Sequence, residues 1–505
     1  MDVLGWLRVR ELGPETYLLT RRLFLTLLGL CYGSAFVSLW VQLPGLLGSH
    51  GLEPALDRLA EQSAAGAGRF WRLPTLLWLW PSDCGLHVLC AAGSVCALLL
   101  VAGIAPRLTA AALWLLYLSL VSVGGVFLPY QWDTLLLETG LLAILFAPGR
   151  LAPRAAAAQP VEPLALALLR FLLFKLMFLS GALKWLSGDP TWRGLSATTF
   201  HYLTQPLPLP ISWYADRLPG AFHTFEAGAT LAIELGLPWL IFAPRRLRWL
   251  AWAGLSGLQL LIASTGNYGF FNLLSLSLCV LLLDDASLRR LLPARLRPPL
   301  PDPARARRTG WPRRRVALAL VAALLFTASA TRLLGVLGLQ PSWLAPIAAL
   351  NRTLAPLLSN NGYGLFAVMT TERDEIELEG SDDGRSWRAY RFRWKPGPLE
   401  RAPAFAGPHM PRLDWQMWFA ALQGCARVPW FHVFLLRVLE GDPAVLDLLA
   451  ENPFGQKPPR YLRTPLYRYR FATPDEGGWW RRRSVGVFCP TVELRQGRLV
   501  EARRP

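Results

Sequence analysis

Six ionisable residues lie inside or at the ends of long apolar runs: Glu138, Arg170, Lys175, Lys184, Glu226 and Glu234. A charge facing hydrocarbon is costly, so such groups turn inward, where they pair or line a polar cavity for a ligand or a proton relay. Glu138 can pair with Arg170 or with Lys175, and Lys184 and Glu226, near run ends, can instead snorkel to an interface. Spacing leaves that choice open. Sulfur is the second reactive set. Cys31, Cys84, Cys90, Cys96 and Cys279 lie in or beside apolar runs, where cysteine is a small hydrophobe. Cys84, Cys90 and Cys96 recur every six residues, which is neither a zinc spacing nor a redox CxxC. Cys425 and Cys489 lie in a more polar part of the chain and are candidates for a disulfide in an oxidising compartment. His201 and His223 have no metal-ligand spacing, and the chain contains no HExxH, GxSxG or P-loop. The expectation is therefore no catalytic motif, no cofactor and no metal.

The elements that must position these groups follow from composition. The 505 residues are 53% hydrophobic yet carry a formal charge of +18, and the mean hydropathy is +0.31. Apolar content this high offsets the entropy of ordering and excludes a disordered chain. A nucleic-acid binder would be less apolar, and a soluble enzyme less cationic. Apolar runs long enough or nearly long enough to cross a bilayer lie at 21–43, 86–104, 108–128, 132–148, 164–185, 223–243, 249–265, 268–283 and 316–337. The fold class expected is a polytopic α-helical membrane protein of about nine spans. The first run starts at Arg21-Arg22, is too long for a signal h-region and has no small-residue cleavage site after it, so it reads as an anchor.

Charge sets the expected orientation. With the N-terminus inside, inside loops hold 20 Lys and Arg, ten of them between Arg289 and Arg315, and outside loops hold five. That asymmetry obeys the positive-inside rule. The +18 is then chiefly a topology signal, and nucleic acid drops out as a partner, leaving the lipid bilayer. The expected domains are a cytosolic segment 1–20, a helical membrane domain 21–337 with a basic inside loop 284–315, and an extracytoplasmic domain 338–505.

From about Asn351 the pattern changes. Glu375–Glu379 alternates with period two, Ser381-Asp382-Asp383-Gly384 breaks it, and Trp387–Trp394 alternates again, a hairpin signal. Tyr461–Phe471 and Val485–Leu494 also read as strands. Trp415–Gln423, Trp430–Leu439 and Pro443–Glu451 read as helices, the last with Asp442 as N-cap and Pro at N1. The tail is thus a β-rich mixed domain. Asn351-Arg352-Thr353 is a glycosylation sequon on the expected outer side.

Several segments together resemble the lipase maturation factor family: QWDTLLLETG (131–140), RFLLFKLMFLS (170–180) followed by Gly181 and Lys184, TFHYLTQ (199–205) and TGNYGFFNLL (265–274). In the tail NGYGLF (361–366), Tyr390–Pro398 and PRLDWQMWFAAL (411–422) extend the likeness over nearly the whole chain. The resemblance implies a multi-pass protein of the endoplasmic reticulum membrane with a lumenal C-terminal domain; in a bacterium the place would be the inner membrane. It also implies a chaperone-like role in the maturation of secreted clients, dimeric lipases above all, rather than catalysis. Arg412, Asp414, Trp415, Trp418 and Trp430 are then the expected exposed client-binding patch, since aromatic–Arg clusters often carry binding energy; plain helix packing is the other account of these tryptophans. The alternative function is a lipid-handling or carboxylase-like membrane enzyme using a polar cavity in the bundle, with a buried Lys such as Lys175 as base.

Overall fold

A computed structural model describes residues 15–502, apart from 65, 154, 155, 157, 158, 294 and 296–311. Arg8, Arg10, Arg154 and most of the basic loop 284–315 lie outside the described residues. Each of the nine apolar runs overlaps a helix. In chain order these are α1 (Leu18–Trp40), α2 (Asp83–Ala102), α3 (Pro106–Val123), α4 (Gln131–Phe146) and α5 (Pro163–Leu186). The short α6 (Ala197–Thr204) follows, then α7 (Gly220–Gly236, extended by a 3-10 turn Leu237–Phe242), α8 (Arg245–Thr265), α9 (Phe271–Val280) and α10 (Pro312–Val336). Six are long and apolar enough to cross a bilayer: α1, α2, α3, α5, α7 with its extension, and Val316–Val336 of α10. Of the other three, α4 has 16 residues and α9 has 10, while α8, with 21, carries Arg245, Arg246 and Arg248 in its first turn.

Local chemistry starts and stops these helices. Asp285 accepts the backbone N–H groups of Leu18, Leu19 and Thr20 at 2.8, 2.9 and 3.0 Å, placing a carboxylate on the positive end of α1. Ser82 caps α2, which ends at Gly103 with φ +76°. Proline opens α3 and α5 at positions where its missing N–H costs nothing.

The remainder of the chain adds α11 (Ala345–Leu354), β1 (Arg373–Ile376), β2 (Leu378–Ser381), β3 (Arg388–Tyr390), α12 (Arg412–Ala421) and α13 (Pro429–Glu440). It ends with β4 (Tyr461–Arg463), β5 (Pro465–Phe471), β6 (Trp480–Val487), β7 (Val492–Arg495) and β8 (Arg498–Glu501). The Asp-Gly turn does connect a hairpin, with Leu378 opposite Tyr390. The long alternating runs, however, divide between two antiparallel sheets, β1-β5-β6 and β3-β2-β4-β7-β8. Glu375–Glu379 breaks at Glu377, Tyr461–Phe471 breaks at Thr464, and Val485–Leu494 is the end of β6 and the start of β7. Strands that pass from one sheet to the next bend at such points. The helix expected over Pro443–Glu451 shrinks to a turn, Pro443–Leu446, with Asp442 accepting from the Ala444 and Val445 N–H groups. One apolar core runs from Phe24 and Phe36 of the bundle through Trp415 of α12 to Phe431 and Phe434 of α13.

Candidate functional site

Arg412 opens α12 and reaches down into the bundle. Its guanidinium grips Asp133 of α4, with Nη2 donating to Oδ1 at 2.8 Å and Nη1 to Oδ2 at 3.0 Å. Nη1 also donates to the Phe127 carbonyl at 2.6 Å. Asp133 takes further bonds from the Tyr117 hydroxyl at 2.5 Å and the Tyr130 N–H at 3.0 Å, so it caps α4 and anchors α12 at once. The two side chains are 1% and 0% exposed. Desolvating such a pair is expensive, and the two-pronged fork with its extra donors offsets that cost. One turn on, Trp415 packs against Trp132 with ring centres 4.8 Å apart and against Tyr268 at 6.0 Å. Asp414 accepts the N–H groups of Trp394 and Lys395 at 2.9 and 2.8 Å. Burial pushes its carboxyl above the usual range in spite of those bonds.

The exposed client-binding patch is overturned by this geometry. Arg412, Asp414, Trp415 and Trp430 are buried, and Trp418 is half-buried with its indole N–H donating to the Thr204 carbonyl at 2.9 Å. Trp430 lies edge-on to Phe127 at 5.5 Å. Tryptophan and arginine are as useful for burying one part of a chain on another as for binding a partner, and here they hold the strand-rich part to the bundle.

A second anchor lies further along α4. Glu138 accepts Lys175 Nζ at 2.5 Å, the Tyr363 hydroxyl at 2.6 Å and the Asn361 N–H at 3.0 Å. Lys175 also donates to Ser329 Oγ at 2.9 Å and Asn360 Oδ1 at 3.3 Å. Arg170 takes no part. Five residues put it about 140° around α5 from Lys175, where it donates to the Leu281 carbonyl at 2.9 and 3.0 Å and the Tyr17 hydroxyl at 3.0 Å. Lys184 does not snorkel; it is buried, with Nζ donating to both oxygens of Glu234 at 2.9 and 2.8 Å. Glu226 accepts from the Tyr202 hydroxyl at 2.7 Å and faces His223 Nδ1 at 3.1 Å. The six intramembrane charges therefore form separate local groups, not one network.

The same boundary gathers further contacts from distant segments. Asn267 accepts the Ala406 N–H at 2.7 Å and donates to the Ala404 carbonyl at 2.8 Å. Arg373, buried in β1, donates to the carbonyls of Leu203, Gln205 and Pro206 at 2.8, 2.5 and 2.8 Å. Gln131 accepts the Gly364 N–H at 3.0 Å, and the Trp192 indole donates to the Phe366 carbonyl at 2.8 Å. Gly140 has no room for a side chain, because a Cβ there would lie 2.0 Å from the Tyr32 hydroxyl of α1. Ser38 Oγ meets His409 Nδ1 at 3.0 Å; burial first, then the nearby Arg412 and Arg393, lowers this imidazole to about 4.

Cys425 and Cys489 are joined by a disulfide. His432 Nε2 is 3.5 Å from the Cys425 sulfur, but both sulfurs are committed to the S–S bond and are not a metal-ligand set in this state. In the folded chain the sequon residue Asn351 is engaged by the protein itself. Asn351 lies half-buried within α11, its amide donating to the Ala328 carbonyl at 2.9 Å and accepting from Asn360 at 3.0 Å. Sequence reasoning missed Asp133, Tyr363, Asn361, Arg373 and Asn267 as individuals. Four of them, all but Arg373, stand in the segments QWDTLLLETG, TGNYGFFNLL and NGYGLF beside apolar runs, the signal that could have marked them.

Bundle and docked strand-rich part together define a polytopic helical membrane protein clamped to an extramembrane domain. Residues 19–290 match the family model described as the lipase maturation factor transmembrane domain, and residues 359–490 match the lipase maturation factor C-terminal domain. The chain is 38% identical to lipase maturation factor 2 of Mus musculus, over 94% of this chain and 83% of that relative. It is also 38% identical to lipase maturation factor 2 of Gallus gallus, over 94% and 81%, and 34% identical to lipase maturation factor 1 of Bos taurus, over 96% and 91%. No solved structure matches. The chain belongs to the lipase maturation factor family, as its residue motifs implied.

Proposed function

We propose that this protein is a membrane-anchored, non-catalytic maturation factor that assists the folding and assembly of lipases, the role carried in the names of its relatives. Residues 1–20 face the cytosol, 21–337 form the membrane domain and 338–505 face the lumen of the endoplasmic reticulum. The excess of cations on one set of loops supports this orientation, and the disulfide is in keeping with an oxidising compartment. The observation that carries the reading is the match of both family models along one chain. The clamp adds a physical sense to it: a domain held by a buried ion pair and buried hydrogen bonds is a fixed platform at the membrane surface. Clients meet its outer face, because the inner face is consumed by docking.

The test is complementation. Cells without their own lipase maturation factors and secreting a dimeric lipase receive the full chain or a chain ending at residue 337. The full chain should restore secreted lipase activity and capture the lipase by proximity labelling, and the truncated chain should do neither. Equal secretion with and without the full chain would sink the proposal.

A further inference from the structure

A cavity of about 280 Å³ opens between α7 and α8 and is floored by α5. It borders the junction at Trp192 and Phe366, away from the Asp133 and Glu138 anchors, and nothing in the maturation reading uses it. Leu176, Met177 and Ser180 of α5 form its floor and are buried. Its mouth is framed by Phe225 of α7, 69% exposed, and Leu261 of α8, 67% exposed. Phe225 lies on a helix fit to cross a bilayer, where an exposed apolar side chain faces lipid hydrocarbon, and Leu261 continues that apolar rim on the neighbouring α8, so the cavity opens sideways into the membrane. A cavity of about 150 Å³ is known to admit benzene; by that scale this one takes roughly a dozen carbons.

Polar groups converge at the end of the cavity near α6, and each carboxylate there has a hydrogen-bond partner in the protein. Lys184 holds both oxygens of Glu234, and Glu226 is engaged by Tyr202 and His223. His201 also lines the cavity, 3.4 Å from the Tyr268 hydroxyl, and burial first, then the charge on Lys184, lowers it to about 4, leaving it neutral. With two carboxylates and one ammonium in the wall, an anionic head is repelled. A neutral or zwitterionic head meets no such repulsion.

We propose that this cavity binds one acyl chain of a bilayer phospholipid, entering sideways between α7 and α8. The lipid is a resident ligand, not a substrate: it fills the gap between α7 and α8 above α5. The inference goes beyond the maturation role and does not depend on it.

The test places the full chain in phosphatidylcholine nanodiscs doped with phosphatidylcholine carrying a diazirine near one chain end. After irradiation, labelled peptides are mapped by mass spectrometry. Labelling of Met177 and Ser180 is expected, because both are buried and line the cavity. Ala229→Phe narrows the mouth and should cut that labelling about tenfold, while labelling of exposed Leu320 on α10 stays unchanged. Thr230→Phe, also in the wall, serves where the first variant fails to fold. Absence of label at Met177 and Ser180 beside a labelled Leu320 overturns the proposal. So does labelling that both plugs leave unchanged, and so does a diazirine fatty acid of equal chain that labels these residues more strongly than the phospholipid.

Discussion

Removing the Arg412 guanidinium leaves Asp133 buried with only neutral donors, and losing one partner of a buried pair costs about 3–5 kcal/mol. Arg412→Ala should therefore loosen the strand-rich part from the bundle, read as a lower Tm and as faster proteolysis after the last helix of the bundle. An unchanged proteolysis rate would show that the pair does not hold the junction. His409 adds a pH dependence. Its folded-state value, about 4, lies below the ordinary imidazole value of about 6.5, so the unfolded chain binds the proton more readily. Its contribution is complete above about pH 6.5 and declines as pH falls toward 4, by about 1–2 kcal/mol at pH 5. Stability measured from pH 7 to pH 5 should fall in the native chain and fall less in His409→Asn. At this scale sequence reading located charges better than partners. That Glu138, Lys175, Lys184 and Glu234 turn inward follows from the cost of lipid exposure. That Lys175 rather than Arg170 meets Glu138 depends on helix rotation and on Tyr363, far along the chain.

Among the elements, the disulfide ties the turn before α13 to the segment between β6 and β7, with a sequence separation of 64 residues. Closing a loop of that size is worth about 4 kcal/mol in the chain-entropy model. Cys489→Ser should lower the Tm of the full chain accordingly; a Tm unaffected by reductant or substitution would contradict this. Strand β6 forms an edge of its sheet and ends in exposed Val485 and Val487. A free strand edge with apolar side chains is a template for another chain. Val485→Asp with Val487→Asp should cut lipase capture several-fold with little change in Tm; undiminished capture would place the client surface elsewhere. Helices were legible because their period and length are local properties. The strands were legible as alternation, but not as sheets: Glu377 and Thr464 sit where the chain changes sheet, and a pairing partner leaves no mark on the residues between.

For the whole molecule, a chain ending at residue 337 strips Arg412 from Asp133 and both Tyr363 and Asn361 from Glu138. Two buried carboxylates then lose donors together, so the bundle alone in detergent should melt well below the full chain, by at least the 3–5 kcal/mol of one broken pair. Equal melting would mean that the bundle is self-sufficient and the clamp incidental. The chain by itself determined which segments belong in lipid and that a different kind of domain follows, because transfer to lipid or water is a property of each run and needs no distant contact. Tertiary structure alone decided which groups meet. Asp133 and Arg412 stand 279 residues apart, and their attraction acts only when folding brings them to about 3 Å with water excluded. The patch that looked like a surface for partners became the joint between domains for the same reason: burial belongs to the packed molecule, not to the residue.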